Sequence, residues 1–418
     1  MATRARPKAK ASAYDWAFKP RFRRRAFGWR SQPAITRVKQ AVTELKKVAR
    51  TDPLLAGEGA VLFLERVSPA IEQVDGSSGS MGSAVNHAVA ECATIIGAAP
   101  ADADTRASWL ERLWDAYQDD EIPYIESLGD HWGELCATKE LASVWADRLS
   151  STVKMAWSPD PELRGFFKGT SNCLSALLFA ERHDDIFALL ALAPYRMWDY
   201  EQYGVRALAA QGRIDEAIAR AQERRGRNDS DATVARTLEE LMRAAGRMDD
   251  AYRYGLTANT STTYLATFRA LLKRYPSKRP AELLDDLVKT TPGDEGKWFA
   301  AAKDAELFDE ALALARRTPC NPRTLANAAR DHAETHPAFA TNAGLLALSW
   351  LAQGFGWEIT GGDVTFAYEE TMRAAEHLST KSGRDAVAEV RARVKALLAL
   401  ETPPVEFMRR FLDRRLGP

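Results

Sequence analysis

No run of this 418-residue chain approaches the roughly 18 apolar residues that cross a bilayer. Cysteine is scarce: Cys92, Cys136, Cys173 and Cys320 stand alone, with no close pair among them. That excludes a disulfide framework and fits a reducing cytoplasm. Runs of β-branched residues are few, whereas Ala, Leu, Arg and Glu dominate, which favours helices over sheet. Net charge is also lacking, with 57 basic and 57 acidic side chains. The N-terminus has no apolar core behind its charges, so it is not a secretory signal. An Arg-rich, acid-poor start is compatible with an organelle transit peptide, but the Ala/Arg-heavy composition reads more as a high-GC bacterium. No catalytic constellation stands out and no cofactor is expected.

What is present is a helix–turn–helix signature at nearly fixed spacing. It reads Gln211-Gly212-Arg213-Ile214-Asp215-Glu216-Ala217, then Ala245-Gly246-Arg247-Met248-Asp249-Asp250-Ala251, and more loosely Glu306-Leu307-Phe308-Asp309-Glu310-Ala311. Arg274-Tyr275-Pro276-Ser277-Lys278-Arg279-Pro280-Ala281 fills the gap before the last, and Glu181-Arg182-His183-Asp184-Asp185-Ile186 precedes the first. Successive anchors (Ile186, Ala217, Ala251, Ala281, Ala311) lie 31, 34, 30 and 30 residues apart. A small residue (Gly212, Gly246) lets the first helix end, because Gly adopts the left-handed conformation without a Cβ clash. The acidic pair that follows is expected to cap the next helix and meet its dipole. The alanine then sits where two helices approach closely.

On these residues, positions from about 170 to 320 resemble tetratricopeptide repeats, whose period is near 34 residues. The resemblance implies stacked helical hairpins. The positions that usually carry a small residue hold Val205, Glu239 and Phe299, so the peptide-holding residues of that family are not carried over. The whole chain, with its opening Tyr14-Asp15-Trp16-Ala17-Phe18-Lys19-Pro20, resembles a group of uncharacterised bacterial helical-repeat proteins. That implies a fold and no activity.

The expected architecture is all-α: an α-solenoid of tetratricopeptide-like hairpins with an N-terminal helical domain and a basic arm. The divisions are an arm over 1–33, a helical domain over 34–160, repeats over 161–340 and a helical cap over 341–418. Helices are expected near 34–50, 53–67, 84–97, 105–120, 139–155, 363–378 and 383–400. Ile35, Val38, Val42, Leu45 and Val48 share one face of the first.

The balanced charge hides a split. Residues 1–50 hold 15 Lys/Arg and two acids, so the rest must carry the opposite excess. Arg21, Phe22, Arg23, Arg24, Arg25, Trp29 and Arg30 form the strongest candidate site. Arginine forks hold phosphates, and interleaved aromatics can stack on bases. Three readings of the arm are open: nucleic-acid binding, docking onto the chain's own acidic body or a protein partner, and a plain solubilising tail. Acids at 115, 119, 120, 121, 126 and 130 offer a receiver for the arm, or a solvated face.

Other patterns have blander readings. The Gly/Ser stretch 76–83 lacks the Gly-Lys-Ser/Thr ending of a phosphate loop and reads as an interhelix loop. His332 and His336 stand one helical turn apart, a zinc-compatible spacing, but the following Pro337 makes a helix end the better reading. His131, Glu134 and Cys136 have the residue types of a Cys–His pair without a third group. Tryptophans 109, 114, 132, 145 and 157 read as core. The functional expectation is a non-enzymatic scaffold that holds a partner protein or peptide, with nucleic-acid binding through the arm as the alternative. A dispersed active site is a second alternative. No membrane association is expected.

Overall fold

The computed structural model describes residues 14–224, 230–258 and 263–416; the first thirteen residues of the arm lie outside them. Every regular element among the described residues is helical. The chain divides into two compact units between Ser230 and Asp231.

The first unit contains α1 (Ser31–Ala49), α2 (Pro53–Ile71), α3 (Ser80–Ala98), α4 (Ala103–Gln118), α5 (Trp132–Cys136) and α6 (Lys139–Ala156). It continues with α7 (Thr170–Phe179), α8 (His183–Leu192), α9 (Trp198–Ala210) and α10 (Ile214–Arg224). α1, α2 and α3 pack on one another, and α4 lies against α2. The expected face of α1 is buried, joined by Ala34 and Ala41. α2 starts where Asp52 accepts the Leu55 N–H at 3.0 Å and Pro53 takes the first helical position. It runs past Val67 to Ile71 with Pro69 inside it.

The second unit contains α11 (Asp231–Ala244), α12 (Met248–Ala258), α13 (Tyr264–Arg274), α14 (Pro280–Thr290), α15 (Phe299–Asp304) and α16 (Phe308–Arg317). After them come α17 (Pro322–His332), α18 (Pro337–Ala352), α19 (Gly361–Ser382), α20 (Ala386–Leu398) and α21 (Pro403–Leu416). α17, α18 and α19 pack on one another, and α20 and α21 pack on α18 and α19.

Of the three internal boundaries drawn from the sequence, the one at 33/34 falls inside α1, and those at 160/161 and 340/341 are not packing breaks. α6 packs on α7 across residue 160, and Trp157 meets Tyr200 with ring centroids 5.3 Å apart. One buried cluster therefore runs from Trp16 to Ala207. Residue 340 lies inside α18.

The repeat has a physical signature sharper than its spacing. Glu181, Gly212, Gly246 and Glu306 all adopt positive φ, at 59°, 77°, 73° and 59°. The next residues, Arg182, Arg213, Arg247 and Leu307, each donate an N–H at 2.9 Å to the carbonyls of Leu177, Leu208, Met242 and Ala302. This is one Schellman turn used four times. Two of the four place glutamate where glycine is favoured. No Cβ contact opposes a side chain at Gly246, so backbone strain alone sets the effect there. Gly246→Ala is expected to cost about 1–2 kcal/mol. Glu306→Gly is expected to gain about 0.5 kcal/mol, the strain relief less the added freedom of the unfolded chain. Urea unfolding of the two variants checks both signs.

Ala217, Ala251 and Ala311 are fully buried, but Ala281 is exposed and is not the packing anchor. The reason is local. Ala217, Ala251 and Ala311 are the fourth residues of their helices, as Ile186 is of α8. Pro280 opens α14, so its fourth residue is the buried Leu283, which takes the place assigned to Ala281. The acidic pairs lie in the first turn of their helices, at the positive end of the dipole, and several are also ion-paired. Glu216 and Asp250 are held by Arg213 and Arg247, three residues earlier, at 2.6 and 2.7 Å, as Asp185 is by Arg182 at 2.7 Å.

Candidate functional site

The described part of the arm is docked, and aromatic side chains and backbone do the docking. Trp16, Phe18 and Phe22 are buried. A Cβ on Gly59 of α2 would overlap the Trp16 ring, so the glycine opens the notch that the ring fills. Phe18 and Phe22 meet Phe63 edge-on at 5.5 and 5.2 Å. Glu44 of α1 accepts the N–H groups of Ala17 and Phe18 at 2.8 and 3.2 Å. Arg25, at φ 55°, donates its N–H to the Pro69 carbonyl at 2.8 Å, and Phe27 donates to Ala70 at 3.4 Å. The arm thus satisfies carbonyls that the last turn of α2 would otherwise leave open.

Burial removes Phe22 from the set of bases-stacking candidates. Arg25 is also committed, through a fork to Glu72 at 3.0 and 3.3 Å that holds the Glu72 carboxyl below its ordinary value. Arg24 sits 3.9 Å from the same carboxylate. Glu72 receives the ion pairs, and Asp119 and Glu121 of the acidic run line a groove with Arg24 and Glu72. Asp120 of that run is buried, accepting from Ser68 and from the Ile125 N–H. The other candidates are differently placed. Trp29 is 72% exposed, and Arg23 and Arg30 are exposed with no ion pair among the described residues.

Those charges join more cations from α1. Arg21 and Arg37 both donate to the Gln40 side-chain carbonyl, at 3.3 and 2.7 Å. With Lys47 they rim a groove of about 490 Å³ between the arm and α1, floored by Phe18, Ala41 and Val48. The cations of α1 are counted in the basic excess over residues 1–50, but the candidate residues read from sequence end at Arg30.

A second groove, of about 390 Å³, lies within the other unit. Leu345 and Leu346 of α18 and Leu397 of α20 form its apolar floor, and Arg316 of α16 and Arg393 of α20 stand at its rim. Neither arginine meets a carboxylate among the described residues. Spacing in the sequence does not bring these residues together, because Leu397 belongs to a helix about fifty residues after Leu345 and Leu346.

The remaining candidates resolve into structure. His332 and His336 pack on Phe308 with centroids 5.3 and 4.4 Å away, and burial lowers the His332 pKa. Among the described residues no group of three His, Cys, Asp or Glu could hold a metal. His131 sits 3.3 Å from Glu134, while burial pushes the Cys136 thiol up to about 12, so no thiolate forms there. Trp109, Trp132, Trp145 and Trp157 are buried, with Trp132 and Trp145 packed edge-on at 5.0 Å. Of the stretch 76–83, residues 76–79 form a turn with Gly79 at φ 69° and the Ser77 N–H bonded to Asp75 at 2.9 Å, and residues 80–83 open α3.

One polar assembly escaped the sequence. Tyr203 of α9 donates to Asp130 at 2.8 Å, and the Asp130 carbonyl accepts from Ser175 of α7 at 2.8 Å. Burial raises the pKa of Asp130 and of Glu126. The residues are tens of positions apart, so no spacing could signal them. The Asp130 carboxylate is engaged by the Tyr203 hydroxyl and serves the packing of α7 and α9.

No protein-family model matches the chain, and no curated protein is significantly similar to it. No helix among the described residues is long and apolar enough to cross a membrane.

Proposed function

We propose that the protein is a non-enzymatic interaction scaffold built on tetratricopeptide-like hairpins. Its docking site is the groove between α18 and α20, and its occupant is an amphipathic helix of a partner protein. The supporting observation is the pairing of an apolar floor, Leu345, Leu346 and Leu397, with two uncompensated arginines, Arg316 and Arg393. A helix that buries apolar anchors at i, i+3 and i+4 and carries carboxylates at its flanks satisfies both features. A reducing, cytoplasmic location suits four buried, unlinked cysteines.

The experiment is affinity purification from nuclease-treated native lysate with the wild-type chain and with L346E/R393E. The expected result is a partner with an acidic amphipathic helix, retained by the wild type and reduced about tenfold or more by the variant, since a charge in an apolar contact costs several kcal/mol. Equal recovery of every protein by both chains sinks the reading. So does turnover of a defined substrate that one substitution abolishes.

A further inference from the structure

The arm is held to its unit by rings and backbone bonds, and that leaves most of its charge unspent. Arg21, Arg23, Arg30, Arg37, Lys39 and Lys47 meet no carboxylate among the described residues. Only Arg24 and Arg25, which share Glu72, and Lys46, which pairs with Glu91 at 2.8 Å, find acids in this region. Fixed, like-charged groups this close repel one another. An anion that spans them recovers that repulsion and gains counterion release.

The shape of the surface narrows the choice of anion. Arg21, Arg37 and Lys47 surround a concavity, not a flat plate, and its floor is apolar: Phe18, Ala41 and Val48. Tyr14, 40% exposed, forms one wall. Glu44 is the acid of this groove, and its carboxylate is already turned to the arm's N–H groups. The Gln40 carbonyl is taken by the two arginines, which orients its amide N–H groups as donors. A little way along the arm, Trp29 offers an open ring face. A planar apolar group seated in a groove whose rim binds phosphates, with a second stacking platform outside it, describes a single strand of nucleic acid. A duplex keeps its bases inside the stack, and a bilayer presents no group that enters a concavity.

We propose that the groove between the arm and α1, together with Trp29, binds single-stranded nucleic acid: phosphates on Arg21, Arg37 and Lys47, and one base against the half-exposed ring of Tyr14 at the groove's wall. The site is separate from the α18/α20 groove, so either can stand without the other.

The test is fluorescence anisotropy with the full chain and labelled oligouridylate and oligodeoxythymidylate of about fifteen nucleotides, a length that covers a typical single-strand site. Binding is expected to weaken steeply as salt rises from about 50 to about 200 mM. R37E/K47E is expected to reduce affinity about tenfold or more, while R391E/R410E, with the same change in net charge, leaves it within about twofold. Trp29→Ala, at a side chain 72% exposed, is expected to weaken binding about fivefold or more. Thermal melts confirm that each variant is folded. Equal losses from both double variants, or none from either, overturn the proposal, because binding would then follow bulk charge or the first thirteen residues. Competition by anionic phospholipid vesicles as effective as that by unlabelled oligonucleotide overturns it in favour of a bilayer.

Discussion

Trp16→Ala is expected to lower the stability of the first unit by about 3–5 kcal/mol, the range for truncating a fully buried aromatic. The side chain is 1% exposed and its ring occupies the notch over Gly59. The loss is more than one ring. Tyr14 and Phe18 lean on Trp16 at 4.5 and 5.3 Å, and the arm's bonds to Glu44 lie immediately beside it. Trp29→Ala is the internal control: at 72% exposure it should change stability by no more than about 0.5 kcal/mol. Gly59→Ala attacks the same notch from the other side and should cost about 1–3 kcal/mol by overpacking. The double variant is the sharper measurement. A methyl at position 59 partly fills the hole left by the indole, so the two effects should sum to less than their parts. Urea unfolding followed by circular dichroism reads all four chains. A Trp16→Ala cost below about 1 kcal/mol would mean that the arm is not docked in solution.

The second large effect is expected at Glu239, and its asymmetry is the informative part. Glu239 is 2% exposed and accepts from Arg274 at 2.8 Å and from the Tyr275 hydroxyl at 2.7 Å. Arg274 keeps 36% of its side chain in water. Removing the arginine strands a carboxylate in the interior, whereas removing the carboxylate leaves a guanidinium that reaches solvent. R274L should therefore cost about 3–5 kcal/mol, and E239L about 1–2 kcal/mol. The double variant should be milder than R274L alone, because no uncompensated charge remains. If E239L proves the more damaging, the hydroxyl of Tyr275 and the space left beside Gly255, not the stranded charge, dominate the site. Gly255 is close enough that a Cβ there would sit 3.1 Å from the Glu239 carboxylate.

Helix content and the repeat were legible because hairpins announce themselves locally. Gly212 and Gly246 need a left-handed backbone, and an alanine follows each at the fourth helical position. Where the same turn is made by Glu181 or Glu306, composition does not mark it, and only the backbone reveals that the turn is one motif. The hairpin of α13 and α14 lacks that turn, which is why an anchor counted from its prolines fell on Ala281 instead of Leu283. α21 was not anticipated: arginines crowd it, and its buried face, Val405, Met408, Leu412 and Leu416, needs the double proline at its start to be noticed. The arm's aromatics signalled docking, since unstructured tails are poor in them. Which of its cations would stay uncompensated was not readable. That depends on Glu72 and Glu44 arriving from helices that the linear order does not place beside them.

The arm's attachment points also have an order in time. Its three buried rings leave the ribosome before Gly59, Phe63, Pro69 and Ala70 exist to receive them, a gap of about forty to fifty residues. At synthesis rates of about 5–20 residues per second, that leaves Trp16, Phe18 and Phe22 without their pocket for about 2–10 s. Lys19 and Arg21 fall between those rings, and Arg23, Arg24 and Arg25 follow at once, so charge keeps the segment hydrated through that interval. Of the charges that the folded chain leaves uncompensated, Arg21 and Arg23 thus lie beside the rings that must first be kept in water.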